Sequence, residues 1–323
     1  MNVIEPADDL HRQSAPTEGL PLVTVVIPTR GRPDLLEATL ASIVTQDYAG
    51  GLEILVVHDR EDADPNLARL GSMGREVVSM VNTRTGGLCG ARNTGVLASH
   101  GSFVASCDDD DLWHPAKVRL QVERLLADPG LLAVGAGIRL LMGDRADVDW
   151  PARELEVSHT RLLENRVKEL HSSTLVMRRA AFDRVGLYDE DLPHGYGEDY
   201  DWLLRATTVG RVGAVPQVLA DIRKDVPSWF RGRSANTAAA LEYLLDKHPD
   251  FRHRRRGHAR ILGQIAYARA AGGERARGAR IAGLALSRYP GAPHAWLALA
   301  VAGPGVEPQR LLAAARRLGR GLS

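Results

Sequence analysis

Four strongly apolar runs, each closed by polar residues and most of them followed by a helical segment, restrict this chain more than any other feature. "VTVVIPT" opens the series at Val23, and "LEILVVHD", "EVVSMVN" and "GSFVASC" follow it. The runs are too apolar throughout for strands with one wet face, which fits buried strands of a parallel sheet. Leu35, Leu36, Leu40 and Ile43 follow the first run at helical spacing. "GARNTGVLASH" and "PAKVRLQVERLLAD" read as further helices. Alternation of this kind predicts an α/β fold with a mainly parallel sheet and right-handed crossovers. Ligands on such sheets sit beyond the carboxyl ends of the strands. Asp59, Asp108 to Asp111 and the loop after Ile27 all fall there.

The fourth run leads directly into "CDDDDLWHP". Adjacent carboxylates repel one another, and a shared cation removes that cost. Hard cations such as Mg²⁺ or Mn²⁺ favour oxygen ligands, commonly one or two carboxylates completed by substrate phosphates. An acidic turn that caps the helix beginning near Pro115 is the competing reading.

The middle of the chain is less regular. "LLAVGAGIRLL" and "SSTLVMRR" look like strands, and a loop-rich stretch leads into a helix at about Asp199. From Ser234 onward the chain turns alanine- and arginine-rich and helical, through "ANTAAALEYLLDKH", "ARILGQIAYARAAG", "ARGARIAGLALSRY", "HAWLALAVAG" and "PQRLLAAARRLGR". The paired short helices around Gly272 and Pro290 resemble a degenerate tetratricopeptide unit, with a plain helical cap as the simpler reading. Three parts are expected: an N-terminal segment 1–19, an α/β domain 20–230 and a basic helical region 231–323.

Charge separates these parts. The net charge is only +1, yet residues 231–323 carry 17 Lys and Arg against 5 Asp and Glu. An acidic body with a basic tail points to two modules with different partners. Two cysteines, Cys89 and Cys107, give neither a disulfide framework nor zinc spacing and read as small buried hydrophobes in a reducing compartment. The N-terminal residues lack the basic and apolar regions of a signal peptide, and no apolar run approaches ~18 residues. The expected protein is cytoplasmic, with a tail suited to peripheral contact at the inner membrane face. No nucleic-acid partner is expected.

"VTVVIPTRGRPDLLEATLASIVTQ", "EILVVHD", "GLCGARNTGVLASHGSFVASCDDDDLWHPAKV" and "GEDYDWLLRA" stand in the order and near the spacings of family 2 glycosyltransferases. The resemblance covers roughly residues 20 to 225. It implies a GT-A fold, a nucleotide-diphosphate sugar donor, a divalent metal (Mn²⁺ or Mg²⁺) and inversion at the anomeric carbon. Asp59 then matches the carboxylate that reads the donor base, suiting the UDP, GDP or dTDP type, with His58 where the family commonly has a second acid. Pro28, Thr29 and Arg32 match the loop along the nucleoside. Arg92 is placed to approach the diphosphate or the donor sugar. Aligned on Trp113 and Pro115, the acidic motif falls on Asp108 and Asp110. Asp110 would be the direct metal ligand, with Asp108 or Asp109 holding the ribose or a metal-bound water; Asp111 would only cap the next helix.

Glu198 and Asp199 match the acidic pair on the acceptor side. Inverting transfer needs one base for the acceptor hydroxyl. Asp199 is assigned that role, with Glu198 orienting the acceptor or its helix and Asp201 on a helix face or at a cap. Many relatives place a histidine after the last strand, where this chain reads "ADIRKDVPSW". Lys224 would neutralise the diphosphate instead, or Asp225 would supply a ligand. His171 and His194, loop histidines without a spaced partner, read as surface or core residues. The acceptor is open among a glycan, a lipid-linked compound and a small molecule. A sugar-nucleotide pyrophosphorylase would want a glycine-rich, lysine-bearing loop after the first strand, which "PTRGRPD" does not resemble. A non-catalytic scaffold using the helical tail would have no need of Asp59, Asp110 and Asp199.

Overall fold

The computed structural model describes residues 19–143, 145–226, 234–303, 306 and 311. Its strands are β1 (Val23–Thr29), β2 (Leu52–His58), β3 (Arg75–Val81), β4 (Phe103–Ser106), β5 (Leu112–Trp113), β6 (Leu131–Leu141), β7 (Val148–Trp150), β8 (Glu156–Val157), β9 (Val176–Arg178) and β10 (Arg211–Arg223). The helices are α1 (Pro33–Val44), α2 (Leu88–Ala98), α3 (Lys117–Ala127), α4 (His159–Glu164), α5 (Ala181–Val185), α6 (Glu198–Val209), α7 (Ser234–Lys247), α8 (Arg255–Ala271), α9 (Arg275–Arg288) and α10 (Pro293–Ala302). The stretch "PQRLLAAARRLGR" lies outside the described residues except for Leu311.

One sheet runs in the order β3-β2-β1-β4-β9-β6-β10-β5, with β7 beside β6 and β8 beside β10. β1, β2, β3 and β4 pair in parallel, as do β6 and β10. β9 joins the two halves by pairing antiparallel with both β4 and β6. All six long strands therefore point the same way and end at one edge. The sheet is mixed and mostly parallel, and its antiparallel pairs are short. β10 continues past Pro216 only through register shifts around Val215 and Val218, since proline cannot donate to the ladder.

Every residue of β1 is buried, and successive side chains go to opposite faces. Val23, Val25 and Ile27 join Leu36, Leu40 and Ile43 of α1 and Val118, Val122 and Leu125 of α3. Val26 enters the other core, with Val96 of α2 and Trp202 and Leu203 of α6. Leu241 and Leu244 of α7, Phe251, and Ile261 and Ile265 of α8 share that second core. The first two C-terminal helices thus complete the covering layer of the sheet. α8, α9 and α10 then pack through small residues, including Ala266, Ala282, Ala285, Ala295 and Ala298. Cys89 and Cys107 are buried and unpaired, and burial pushes both thiols up. No helix among the described residues is long and apolar enough to cross a membrane.

Candidate active site

The carboxyl ends of β1, β2 and β4 open into a cleft of about 1840 Å³. Pro28, Thr29, Arg32, Asp59, Asp108 to Asp111, Glu198 and Asp199 all line it. Arg92 does not line it: it is 1% exposed and lies beneath the acidic residues.

On one side, Asp59 follows β2 and its Oδ1 accepts from Asn82 Nδ2 at 2.9 Å and from the Gly87 N–H at 2.8 Å. Oδ2 lies 3.9 Å from Arg60 Nε. The loop from Asn82 to Gly87 is fastened from its other side by Glu190, which accepts from Thr85 Oγ1 at 2.6 Å and Asn93 Nδ2 at 2.7 Å. These donors outweigh the cost of burial and draw the Glu190 carboxyl down to about 2. The loop also approaches α2 too closely for a side chain, since a Cβ on Gly90 would meet Thr85 O at 1.8 Å.

The acidic run sits at the centre. Thr29 Oγ1 donates to Asp109 Oδ2 at 2.8 Å. Arg32 reaches Asp110 Oδ2 at 2.7 Å and Asp109 Oδ1 at 3.3 Å, so this guanidinium is engaged with the aspartates. Asp108 Oδ1 faces Arg92 Nη2 at 2.5 Å and its Oδ2 accepts from Ser172 Oγ at 3.0 Å. Burial pushes Asp108 up, but Arg92, His171 and Ser172 together hold it below the usual carboxylate range. Its neighbours go the other way. Burial raises Asp109 to about 6 despite its bond to Thr29. Burial and the Asp108 charge raise Asp110 and Asp111.

Asp111 is not a helix cap. It is 2% exposed, and its oxygens accept from the Arg223 N–H at 3.1 Å and from Ser173 Oγ at 2.5 Å. α3 instead begins after Ala116, with no side-chain cap. The buried carboxylate fastens the acidic turn to the end of β10. His171 Nδ1 lies 3.8 Å from Asp111 Oδ2, and Asp108, Asp111 and His171 each offer a ligand atom within 4.8 Å of the others. Burial lowers His171 to about 4, so its ring is neutral near pH 7, the form that ligates metals. A hard cation fits this donor set of carboxylate oxygens and a neutral imidazole, which carries more acid than its arginines neutralise. Asp110 lies outside the three-residue group. Lys224 lines the cleft and favours the ionised forms of Asp110 and Asp111. Asp225 does not line it and stands against Gly143.

On the far side, α6 begins directly after Gly197 with Glu198 and Asp199 in its first turn. Arg166 Nη2 grips both Asp199 oxygens, at 3.0 and 3.2 Å. Glu198 Oε1 is 3.3 Å from Arg92 Nε. Burial and the Asp199 charge push Glu198 well above the usual carboxylate range. Asp201 neither caps nor faces water: it is fully buried and paired with Arg205, Lys247 and His248. These partners hold it far down despite burial. His194, also on the cleft wall, is exposed and takes a positive φ of 58°.

Arg166, Glu190 and the buried bridging role of Arg92 were not visible in the sequence. Arg166 stands in an irregular stretch without periodicity. Glu190 belongs to the acidic approach to "GYGED", where its charge gave a signal but no partner.

The sequence profile described as Glycosyl transferase family 2 matches residues 24–186, just over half of the chain. A glycosyltransferase of Haemophilus influenzae, described as uncharacterized, is 22% identical over 64% of this chain and 66% of its own length. One from Rickettsia prowazekii is 27% identical over 56% of this chain and 57% of its own. The Escherichia coli glucosyltransferase WfgD is 29% identical over 32% of this chain and 41% of its own. The chain thus spans less than two thirds of the length of these curated relatives. Among solved structures, TarS from S. aureus in complex with UDP covers 92% of both chains with a TM-score of 0.53 and 17% identity. The mannosyltransferase PcManGT from Pyrobaculum calidifontis, in complex with GDP-Man and Mn²⁺, covers 93% of this chain and 80% of its own, with a TM-score of 0.54 and 21% identity. The fold is the GT-A fold, and the chain belongs to glycosyltransferase family 2.

Proposed function

We propose that this protein is an inverting, metal-dependent glycosyltransferase that moves a sugar from a nucleotide-diphosphate donor to an acceptor hydroxyl. The observation that carries the reading is the convergence of Asp59, the acidic run and the Glu198–Asp199 pair on one cleft.

Asp59 reads the donor base. Its Oδ1 is taken by Asn82 and Gly87, which leaves Oδ2 to accept a ring N–H such as uracil or guanine carries. The likeness to structures holding UDP, UDP-GlcNAc and GDP-Man supports donors of this kind. Asp108 and Asp110 would hold the cation, and His171, which stands beside Asp108 and Asp111, would take the place of the histidine absent after β10. When bound, Mn²⁺ or Mg²⁺ supplies positive charge against the diphosphate leaving group. Lys224 adds a further cation at the same edge.

Asp199 accepts the acceptor's hydroxyl proton. The freed oxygen forms its bond to the anomeric carbon while the bond to the diphosphate breaks, and the electron pair leaves with the phosphate. Arg166 fixes the carboxylate that performs this transfer. Glu198, held by Arg92 and largely protonated near pH 7, orients the acceptor and does not compete as base. Exposed Arg252 and Arg254 to Arg256 support a further reading, peripheral contact of the C-terminal helices with an anionic membrane surface.

A thermal-shift screen of UDP-, GDP- and dTDP-sugars, with and without Mn²⁺, tests the donor reading. One nucleotide family should raise the melting temperature, more so with Mn²⁺, and its sugar nucleotide should release nucleoside diphosphate. A protein indifferent to all three families contradicts it.

A further inference from the structure

The cleft continues beyond the sheet edge along the C-terminal helices. Gln264, Tyr267, Ala268 and Ala271 of α8 line it, and their spacing places them on one face of the helix. Beyond exposed Arg255 and Arg256 at its start, the other faces of α8 are engaged, and Tyr267 also packs against the alanine cluster. Ile261 and Ile265 enter the core beneath the sheet, and Ala259, Leu262 and Ala266 enter the alanine cluster. Beside it, Ser234, Thr237 and Leu241 of α7, which packs against α8 through Leu241 and Leu244, line the same cleft at helical spacing.

This arm is fixed relative to the catalytic acids. Lys247 and His248 of α7 and the segment beyond it each reach Asp201 at 2.8 Å. Lys247 and Tyr243 also hold Asp189, at 2.5 and 2.8 Å. A Cβ on Gly197, the residue before Glu198, would lie 3.4 Å from Leu244. The N-terminus of α6 therefore abuts α7.

The lining chemistry is specific. Among the described residues, α7 to α10 bring hydroxyls, amides, an aromatic ring and a histidine to the arm, with no carboxylate, lysine or arginine. Neutral donors and acceptors from these residues suit a neutral polar ligand better than a polyanion or a hydrocarbon tail. Hydroxyls and amides pair with sugar hydroxyls, while an aromatic face takes the apolar face of a pyranose. Gln264 to Ala271 spans about 10 Å along α8, enough to extend beyond a single ring.

Resting on the glycosyl-transfer reading above, we propose that this arm is the acceptor subsite and that the acceptor is a neutral saccharide of two or more residues. Its terminal hydroxyl meets Asp199, and its following residues lie along the cleft wall that α7 and α8 form together.

The test uses the full chain with Mn²⁺ and UDP-, GDP- and dTDP-sugars. Acceptors are neutral gluco-, manno-, galacto- and N-acetylglucosamine oligosaccharides of one to four residues, uronate-containing oligosaccharides, and a polyprenyl-diphosphate sugar. Nucleoside diphosphate release above donor hydrolysis is measured beside donor binding by calorimetry. In one neutral series the KM should fall at least tenfold from mono- to trisaccharide, and Tyr267→Ala and Gln264→Ala should each return the trisaccharide KM towards the monosaccharide value. Donor turnover confined to anionic or lipid-linked acceptors overturns the inference and leaves glycosyl transfer standing. So does a trisaccharide KM that neither length nor these substitutions alter. Absence of donor binding overturns both.

Discussion

Arg92 joins the two halves of the candidate site: Nη2 stands 2.5 Å from Asp108 Oδ1, and Nε stands 3.3 Å from Glu198 Oε1. Asp108 follows β4 and Glu198 opens α6, so one buried guanidinium sets the spacing between the acidic run and the acceptor side. Arg92→Gln leaves the ionised Asp108 without its cation and Glu198 without its neighbouring charge. Removing one partner of a fully buried pair costs about 3–5 kcal/mol; the Asp108 side chain is 29% exposed, so urea melts should register a loss below that range. Arg92→Lys should restore little, because a point charge cannot span both carboxylates. Melts unchanged by Arg92→Gln would remove this bridge from the account.

Asp59→Ala should weaken donor nucleotide binding by about 1.5–3 kcal/mol, the range for a hydrogen bond to a charged group. The substitution also frees the Gly87 N–H, so the loop should loosen and Gly87 should exchange its amide hydrogen faster. Calorimetry against the matching nucleoside diphosphate and inorganic pyrophosphate separates base recognition from phosphate binding. An equal loss for both ligands would show that no base is read at Asp59.

The acidic run carries a measurable electrostatic cost. Asp110 is raised by burial and by Asp108, so Asp110→Ala should raise the melting temperature of the metal-free protein through relief of repulsion. The same substitution should abolish the Mn²⁺ dependence of nucleotide binding, and His171→Ala should weaken it. Normal Mn²⁺ dependence in Asp110→Ala would move the ligand role to Asp111.

Lys117 offers a test independent of the cleft. It is fully buried, its Nζ has no hydrogen-bond partner, and it lies 3.8 Å from the centre of the Trp113 ring. Burial lowers it from 10.5 to about 7. Below that value both folded and unfolded chains carry the proton, and the folded state bears the whole burial cost. Between about 7 and 10.5 the unfolded chain holds the extra proton, so stability rises with pH across that window. Lys117→Met should therefore stabilise by about 2–4 kcal/mol near pH 7, with the gain fading as pH climbs through the window. A gain equal at about pH 6.5 and about pH 9.5 would contradict the buried charge.

What the sequence revealed follows from how local each signal is. The first four strands and their trailing acids were legible because an apolar run and its polar terminator are contiguous. Asp59 and Asp108 to Asp111 fall on one edge for that reason, whereas Glu198 and Asp199 are assigned to the acceptor side only through the family resemblance. The sequence points Arg92 toward the donor, and its burial beside Glu198 has no local signal because that partner lies more than a hundred residues away. His171 was passed over because a lone loop histidine has no spaced companion until folding brings Asp111 beside it. Asp111 read as a cap since nothing local reveals its bond to Arg223 on β10. The C-terminal helices were legible as helices, while the cleft-lining face of α8 depends on long-range packing that no local pattern encodes.

The central claim is that Asp199 accepts the acceptor's proton in a cleft where other residues hold the donor. Asp199→Asn keeps the shape of the side chain and can still hydrogen-bond, but it cannot take that proton. The deciding measurement is donor turnover by Asp199→Asn beside its donor Kd from calorimetry. The kcat should fall by about 10²–10⁴-fold, the usual contribution of a positioned base, with a donor Kd close to that of the wild type. Full turnover in Asp199→Asn, with the loss appearing in Glu198→Gln instead, would contradict it.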